Sequence, residues 1–285
     1  LRRNDSGLVG AELLESMTKL GEKIDSLRPN TYACLSVLYG WSSCGAIDAG
    51  ERATELLQTM EADMKAAASR GEESIMRTTQ RCYILAQTAW ARSQSERKAA
   101  GALGVLNMME KNYAEQNLDA KPTVQAYSMV LNACAFADSV EVDGKVVKAS
   151  PEQQMKAFEI AELIMDRLGN EPYPNVKSTS MTYGTFIKCC GRLDLPDNIA
   201  QESASRAFAD CCRPGYVSDF VFTQLRYALP PEEFLNVLVK NGYKNLNSKG
   251  KSLSRDGKRI RPVRLDDLPE EWKRSVDRSA KRSNR

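Results

Sequence analysis

Four stretches of the chain share one frame of residues, and this recurrence constrains the fold more than any other feature. They are Arg28 to Gly45 (RPNTYACLSVLYGWSSCG), Thr78 to Ser93 (TTQRCYILAQTAWARS), Pro122 to Phe136 (PTVQAYSMVLNACAF) and Thr179 to Arg192 (TSMTYGTFIKCCGR). Superimposing Trp41 on Trp90 aligns Cys34 with Tyr83, Tyr127 and Tyr183, and Leu38 with Gln87, Leu131 and Ile187, while Cys134 and Cys190 take the Trp position. The spacings are 49, 44 and 56 residues. A recurring period of this size marks a stack of similar supersecondary units.

The second half of each unit also repeats. Ala53, Leu56, Leu57 and Met60 lie at i, i+3, i+4 and i+7, the apolar stripe of an amphipathic helix. The stripe returns as Ala102, Val105, Leu106 and Met109, then as Ala161, Ile164, Met165 and Leu168, and is already present as Gly10, Leu13, Leu14 and Met17. The chain therefore opens in mid-unit, on a second helix. Pro29, Pro122 and Pro174 stand before first helices, Asp48 can cap one second helix, and Ser150-Pro151-Glu152 places a capping hydroxyl ahead of a proline at the first helical position.

A lone helix pair cannot bury its apolar face, but stacked pairs can. The expected fold is all-α: an α-solenoid of helix-turn-helix repeats over residues 1–239, followed by a basic, partly flexible tail over 240–285. The Trp and Cys positions are then core contacts of first helices. Two insertions interrupt the period. Asp63 to Met76 lengthens a second helix or loop, and Asp138 to Ser150, with an Asp143-Gly144 turn signal between Val-rich arms, can close a small exposed hairpin.

Composition agrees with helices: 42% of the 285 residues are apolar but only 7% aromatic. The chain has no histidine, which removes His-based acid–base chemistry, Ser-His and Cys-His pairs, and every His-containing zinc site. Five of the eight cysteines fall within apolar helical patterns, as small hydrophobes in a reducing compartment would. No run of 18 apolar residues occurs, so no membrane span is expected. The chain starts at Leu1 rather than Met, leaving a removed or omitted leader open. From Lys240 onward 15 Lys/Arg face 6 Asp/Glu, a balance of +9 against +3 for the whole chain, so the first 239 residues carry −6. An acidic body with a basic end is suited to meeting a polyanion at that end.

The frame Pro-Asn-Thr, a small or aromatic residue, Leu, Trp and Gly, followed by Glu-Arg-Ala-x-x-Leu-Leu-x-x-Met-Glu, resembles pentatricopeptide-repeat proteins. The lengthened units and the closing Leu268-Pro269-Glu270-Glu271-Trp272 look most like the organellar type found in diatoms and related algae. The resemblance spans about residues 7–239 in four units, the fourth second helix, Asp197 to Cys212, being degenerate. It implies first helices lining a groove for single-stranded RNA. The base-edge positions it implies are Leu35 with Thr79, Ile84 with Thr123, Ser128 with Thr179, and Gly184. Intercalating positions are Tyr32, Arg81, Gln125 and Met181, and Arg92 and Arg192 take a phosphate-contacting position. Leu35 and Ile84 depart from the family pattern, because an aliphatic side chain cannot hydrogen-bond a base edge.

Each of these has an ordinary structural alternative. Tyr32 and Arg81 stack on bases or simply start an exposed helix, and Arg92 and Arg192 also suit the negative end of a helix dipole. Cys189-Cys190 and Cys211-Cys212 point about 100° apart on a helix and form no CxxC chelate, so no metal is expected. The tail residues Lys249, Lys251, Arg255, Lys258, Arg259, Arg261 and Arg264 are either a solvated arm or a source of non-specific phosphate attraction. Leu268 to Arg282 is expected to fold back on the last unit as a short helix. No Walker-type loop and no repeated acidic cluster occurs. The expectation is a protein that is not an enzyme, takes no cofactor and binds single-stranded RNA in organellar RNA metabolism (processing, stability, translation or ribosome assembly), in mitochondrion or plastid, with protein partners of a ribonucleoprotein. The alternative is a helical-repeat scaffold for protein–protein interaction.

Overall fold

A computed structural model of the chain describes residues 6–21, 23–171, 173–244, 252–253 and 260–276. The protein is mostly helical and divides into two compact units, Leu1–Val176 and Lys177–Arg285. Among the described residues no helix is long and apolar enough to cross a membrane.

The first unit contains α1 (Ser6–Gly21), α2 (Thr31–Cys44), α3 (Ala49–Ser69), α4 (Gln80–Arg92), α5 (Lys98–Ala114), α6 (Val124–Ala135) and α7 (Pro151–Gly169), with a hairpin of β1 (Ser139–Val142) and β2 (Lys145–Lys148) between α6 and α7. Helices α2, α4 and α6 are the first helices of the sequence frame. Each packs on the second helix that follows it, and α4 packs on both α2 and α6. Helix ends follow from local chemistry. The Asn30 side chain accepts a 3.0 Å bond from the Ala33 amide at the start of α2, and Gly45, at φ 70°, ends that helix in the left-handed conformation. Ser150 and Gln153 form a reciprocal capping box ahead of α7. Asp48 stands before α3 without capping it: its carboxylate instead accepts from Arg52 Nε at 2.8 Å.

The aligned positions form the core. Cys34, Tyr83 and Tyr127 are fully buried, as are Leu38, Gln87 and Leu131, and Trp41, Trp90 and Cys134 follow one turn on. Trp90 lies between Gly50 of α3 and Gly101 of α5, where a Cβ on either glycine would collide with its ring. Its Nε1 donates to Thr54 Oγ1 at 2.9 Å. The stripes of α3, α5 and α7 are buried at Ala53, Leu57, Met60, Ala102, Val105, Leu106, Met109, Ala161, Ile164 and Leu168. On α1, which packs chiefly on α2, the corresponding Leu13 is 61% exposed.

The Asp143-Gly144 turn closes the hairpin with Val140 opposite Val147. The buried Lys98 holds it in place, its ammonium donating to Phe136 O at 2.8 Å and Ser139 O at 3.2 Å, and the Glu141 amide donates to Gln94 O at 2.8 Å.

The second unit contains α8 (Ser180–Arg192), α9 (Asp197–Cys212), α10 (Asp219–Ala228) and α11 (Pro231–Lys240), with short antiparallel strands β3 (Ser252–Leu253) and β4 (Ile260–Arg261). Helix α8 packs on α9 and α10. The pair α10 and α11 extends helical order beyond the four frames in the sequence. Its signals are a Ser218 hydroxyl capping Val221 N and the Pro230-Pro231 break before α11. The closing segment does fold back on α9: Trp272 is buried edge-on against Phe208 at 5.7 Å, and Val217 N donates to Trp272 O at 2.8 Å. Its helix is a single tight turn, Glu270–Trp272.

Candidate functional site

The buried ladder fixes which residues of the first helices stand at equivalent heights. Counting from it, the outward face of α2, α4 and α6, with the C-cap residue of α6, consists of five rows: Tyr32, Arg81, Gln125; Leu35, Ile84, Ser128; Ser36, Leu85, Met129; Tyr39, Thr88, Asn132; and Ser43, Arg92, Phe136. All fifteen are exposed or half-buried, which follows from a helix that spends its other faces on its neighbours.

The three expected intercalating positions of this unit are open, with Tyr32 80% exposed and Arg81 and Gln125 exposed. Leu35 and Ile84 are half-buried on the same face, and the Ser128 hydroxyl donates to Val124 O at 2.8 Å. Thr79 and Thr123 are the N-cap residues of α4 and α6. The Thr79 hydroxyl lies 3.4 Å from Cys82 Sγ, and the Thr123 hydroxyl is buried with no hydrogen-bond partner among the described residues. Arg92 is exposed, but its Nη1 donates to Ser42 O at 3.1 Å and so satisfies a terminal carbonyl of α2. The arginine ties adjacent first helices together while keeping the rest of its guanidinium in solvent.

In the second unit Met181 is 56% exposed and Arg192 is exposed. Thr179 is committed to a capping box with Thr182. Gly184 is buried under the Phe220 ring, so that position presents no edge to a ligand. Arg264 is exposed and Arg261 lies in β4, whereas Lys249, Lys251, Arg255, Lys258 and Arg259 lie outside the described residues.

Charge is divided between the two kinds of helix. Among the described residues α2, α4, α6 and α8 hold no Asp or Glu, while α3 and α7 hold Glu51, Glu55, Glu61, Asp63, Glu152, Glu159, Glu162 and Asp166. Two second-helix carboxylates are drawn into the packing. Glu61 accepts from Tyr83 at 2.9 Å and from Asn112, and burial raises its pKa above the usual carboxylate value. Glu110 accepts from Tyr127 and from Arg167 Nη1 at 3.2 Å. Burial raises the hydroxyl pKa of both Tyr83 and Tyr127, so they remain donors. The acidic surplus of the body thus sits on second helices, and the first-helix face carries cations, hydroxyls, amides and apolar groups.

All eight cysteines are buried. Burial pushes the thiols of Cys34 and Cys212 up to about 12, which makes them poor nucleophiles.

Comparison with protein-family models, curated proteins and solved structures finds no match for this chain.

Proposed function

We propose that the protein is a non-enzymatic, single-stranded RNA-binding α-solenoid of the pentatricopeptide-repeat type, acting in organellar transcript processing, stability, translation or ribosome assembly in mitochondrion or plastid. The observation that carries this reading is the absence of any carboxylate from first helices whose outward face displays Tyr32, Arg81, Tyr39 and Arg92. A polyanion with stackable bases needs such a surface: aromatic or guanidinium planes for the bases, cations for the backbone, and no fixed negative charge. The order of packing in the first unit, from α2 to α4 to α6 with a second helix behind each, supports the solenoid. The basic tail adds phosphate attraction that is independent of sequence.

A protein partner is the second reading, favoured by Leu35, Ile84, Leu85 and Met129 in the middle rows, which give the face an apolar strip. Anisotropy of labelled random single-stranded RNA, titrated with the full chain across a salt series, separates the two. RNA binding weakened by Tyr32→Ala and by Arg81→Ala supports the first. Binding that is absent, or unchanged by both substitutions, removes it.

A further inference from the structure

We infer that the groove between the β1–β2 hairpin and the turn joining α2 to α3 docks an extended segment of a partner protein whose apolar side chains are flanked by Lys or Arg. The inference stands apart from the RNA-binding reading, because this surface is built from the helix–helix turns and not from the outward face of the first helices.

The turns from first to second helix recur with the period of the frame. Ile47 and Glu96, 49 residues apart, stand at equivalent places in the first two, and the hairpin replaces the third, between α6 and α7. Together they line an open groove of about 600 Å³. Part of the lining is apolar. Val140 and Val147 are cross-strand partners and Val142 stands two residues on, so the three project from one face of the hairpin. Val140 is buried, but Val142 is 51% and Val147 42% exposed, and Ile47 is 44% exposed. A hairpin whose face met only water would carry polar side chains at those positions.

The rim selects charge. Asp48, Glu51, Glu96 and Glu141 line the groove against Arg97 and Lys148. Asp48 and Glu51 are matched already, by Arg52 at 2.8 Å and by Arg97 at 3.1 Å. Glu96 accepts from the Gln153 amide at 2.8 Å, which brings no charge, and the Glu141 carboxylate has no partner among the described residues. The groove thus holds a surplus of carboxylate beside exposed valine and isoleucine. Such a rim repels a strand that carries a phosphate at every step. Apolar side chains bracketed by ammonium or guanidinium groups satisfy both features of the lining. The groove is also set before anything binds: the Glu141 amide is tied to Gln94 O and Lys98 holds Ser139 O, which leaves little ordering to be done on docking.

The test titrates labelled octapeptides against the full chain by fluorescence anisotropy, up to about 1 mM. One alternates Leu with Lys, a second Leu with Glu, and a third Ser with Lys. The Leu/Lys peptide is expected to bind more tightly than either of the others. Val142→Ser should weaken it about five-fold by removing apolar burial, and Glu96→Gln combined with Glu141→Gln about two- to ten-fold by removing ion pairs. No binding of the Leu/Lys peptide, equal binding of the Ser/Lys peptide, tighter binding of the Leu/Glu peptide, or an affinity that none of the substitutions changes overturns the proposal. So does self-association of the chain, or affinity for single-stranded RNA, that Val142→Ser lowers, since either result gives the groove to another occupant.

Discussion

Trp90 occupies the space that a side chain on Gly50 would need. The two residues lie 40 positions apart on α4 and α3, and a Cβ at position 50 would sit well inside van der Waals contact with the indole. Gly50→Ala should therefore destabilise the protein by roughly 1–3 kcal/mol through overpacking, even though Ala favours a helix. Gly104, exposed on α5 with nothing near its missing Cβ, is the control: Gly104→Ala should stabilise by about 0.5–1 kcal/mol. Urea denaturation of both variants checks this, and destabilisation of equal size in both would refute the role assigned to the tryptophan.

Lys98 should be needed for the hairpin. Its ammonium is buried and donates to two carbonyls, of Phe136 and Ser139, so Lys98→Met leaves both without that donor. Loss of charge-assisted hydrogen bonds predicts destabilisation of about 1.5–3 kcal/mol. Limited proteolysis should show earlier cleavage within residues 139–148 in the variant, and identical cleavage patterns would argue that the strands hold themselves.

Glu61 should make stability fall as pH rises. Burial raises its folded-state pKa above the usual 4.5, so between those two values the folded protein binds more protons than the unfolded chain. Its contribution is then present below the unfolded value and lost as pH rises through the folded one. Glu61→Gln keeps an acceptor for Tyr83 while removing the titration. The stability difference between about pH 4 and pH 7 should shift in the variant toward better stability at pH 7. Parallel pH profiles for the two proteins would contradict this.

The repeat was legible because a repeated packing problem repeats its solution. The rows at Cys34, Tyr83 and Tyr127 and at Leu38, Gln87 and Leu131 are buried at the same height in each first helix, and α9 spans the same residues, Asp197–Cys212, that the degenerate second helix was expected to cover. Helices α10 and α11 were missed because they carry neither the Trp nor the Tyr of the frame. Asp48 looked like a cap but is turned toward Arg52, a choice of partner that spacing alone does not encode. The glycine slots around Trp90 depend on residues 40 and 11 positions away, which no local pattern reveals.

The candidate site was legible only in part. Tyr32, Arg81 and Gln125 are exposed where the frame put them, but Gly184 is closed over by Phe220, a residue of a helix pair outside the frame.

The thiols should report on folding. With all eight cysteines buried, a disulfide-exchange reagent should modify the native chain slowly and all eight rapidly in denaturant. Fast modification of several thiols in the native protein would show that the helices open on the time scale of the reaction.

Whether the carboxylate-free face of the first helices holds single-stranded RNA is decided by the salt dependence of RNA affinity for the full chain and for Arg81→Ala. Arg81, placed to stack on bases, also brings one positive charge to the strand, so its loss should weaken binding and reduce the slope of log affinity against log salt by up to about 0.7. An affinity and slope unchanged by Arg81→Ala, or no measurable RNA binding at low salt, would contradict the RNA-binding reading.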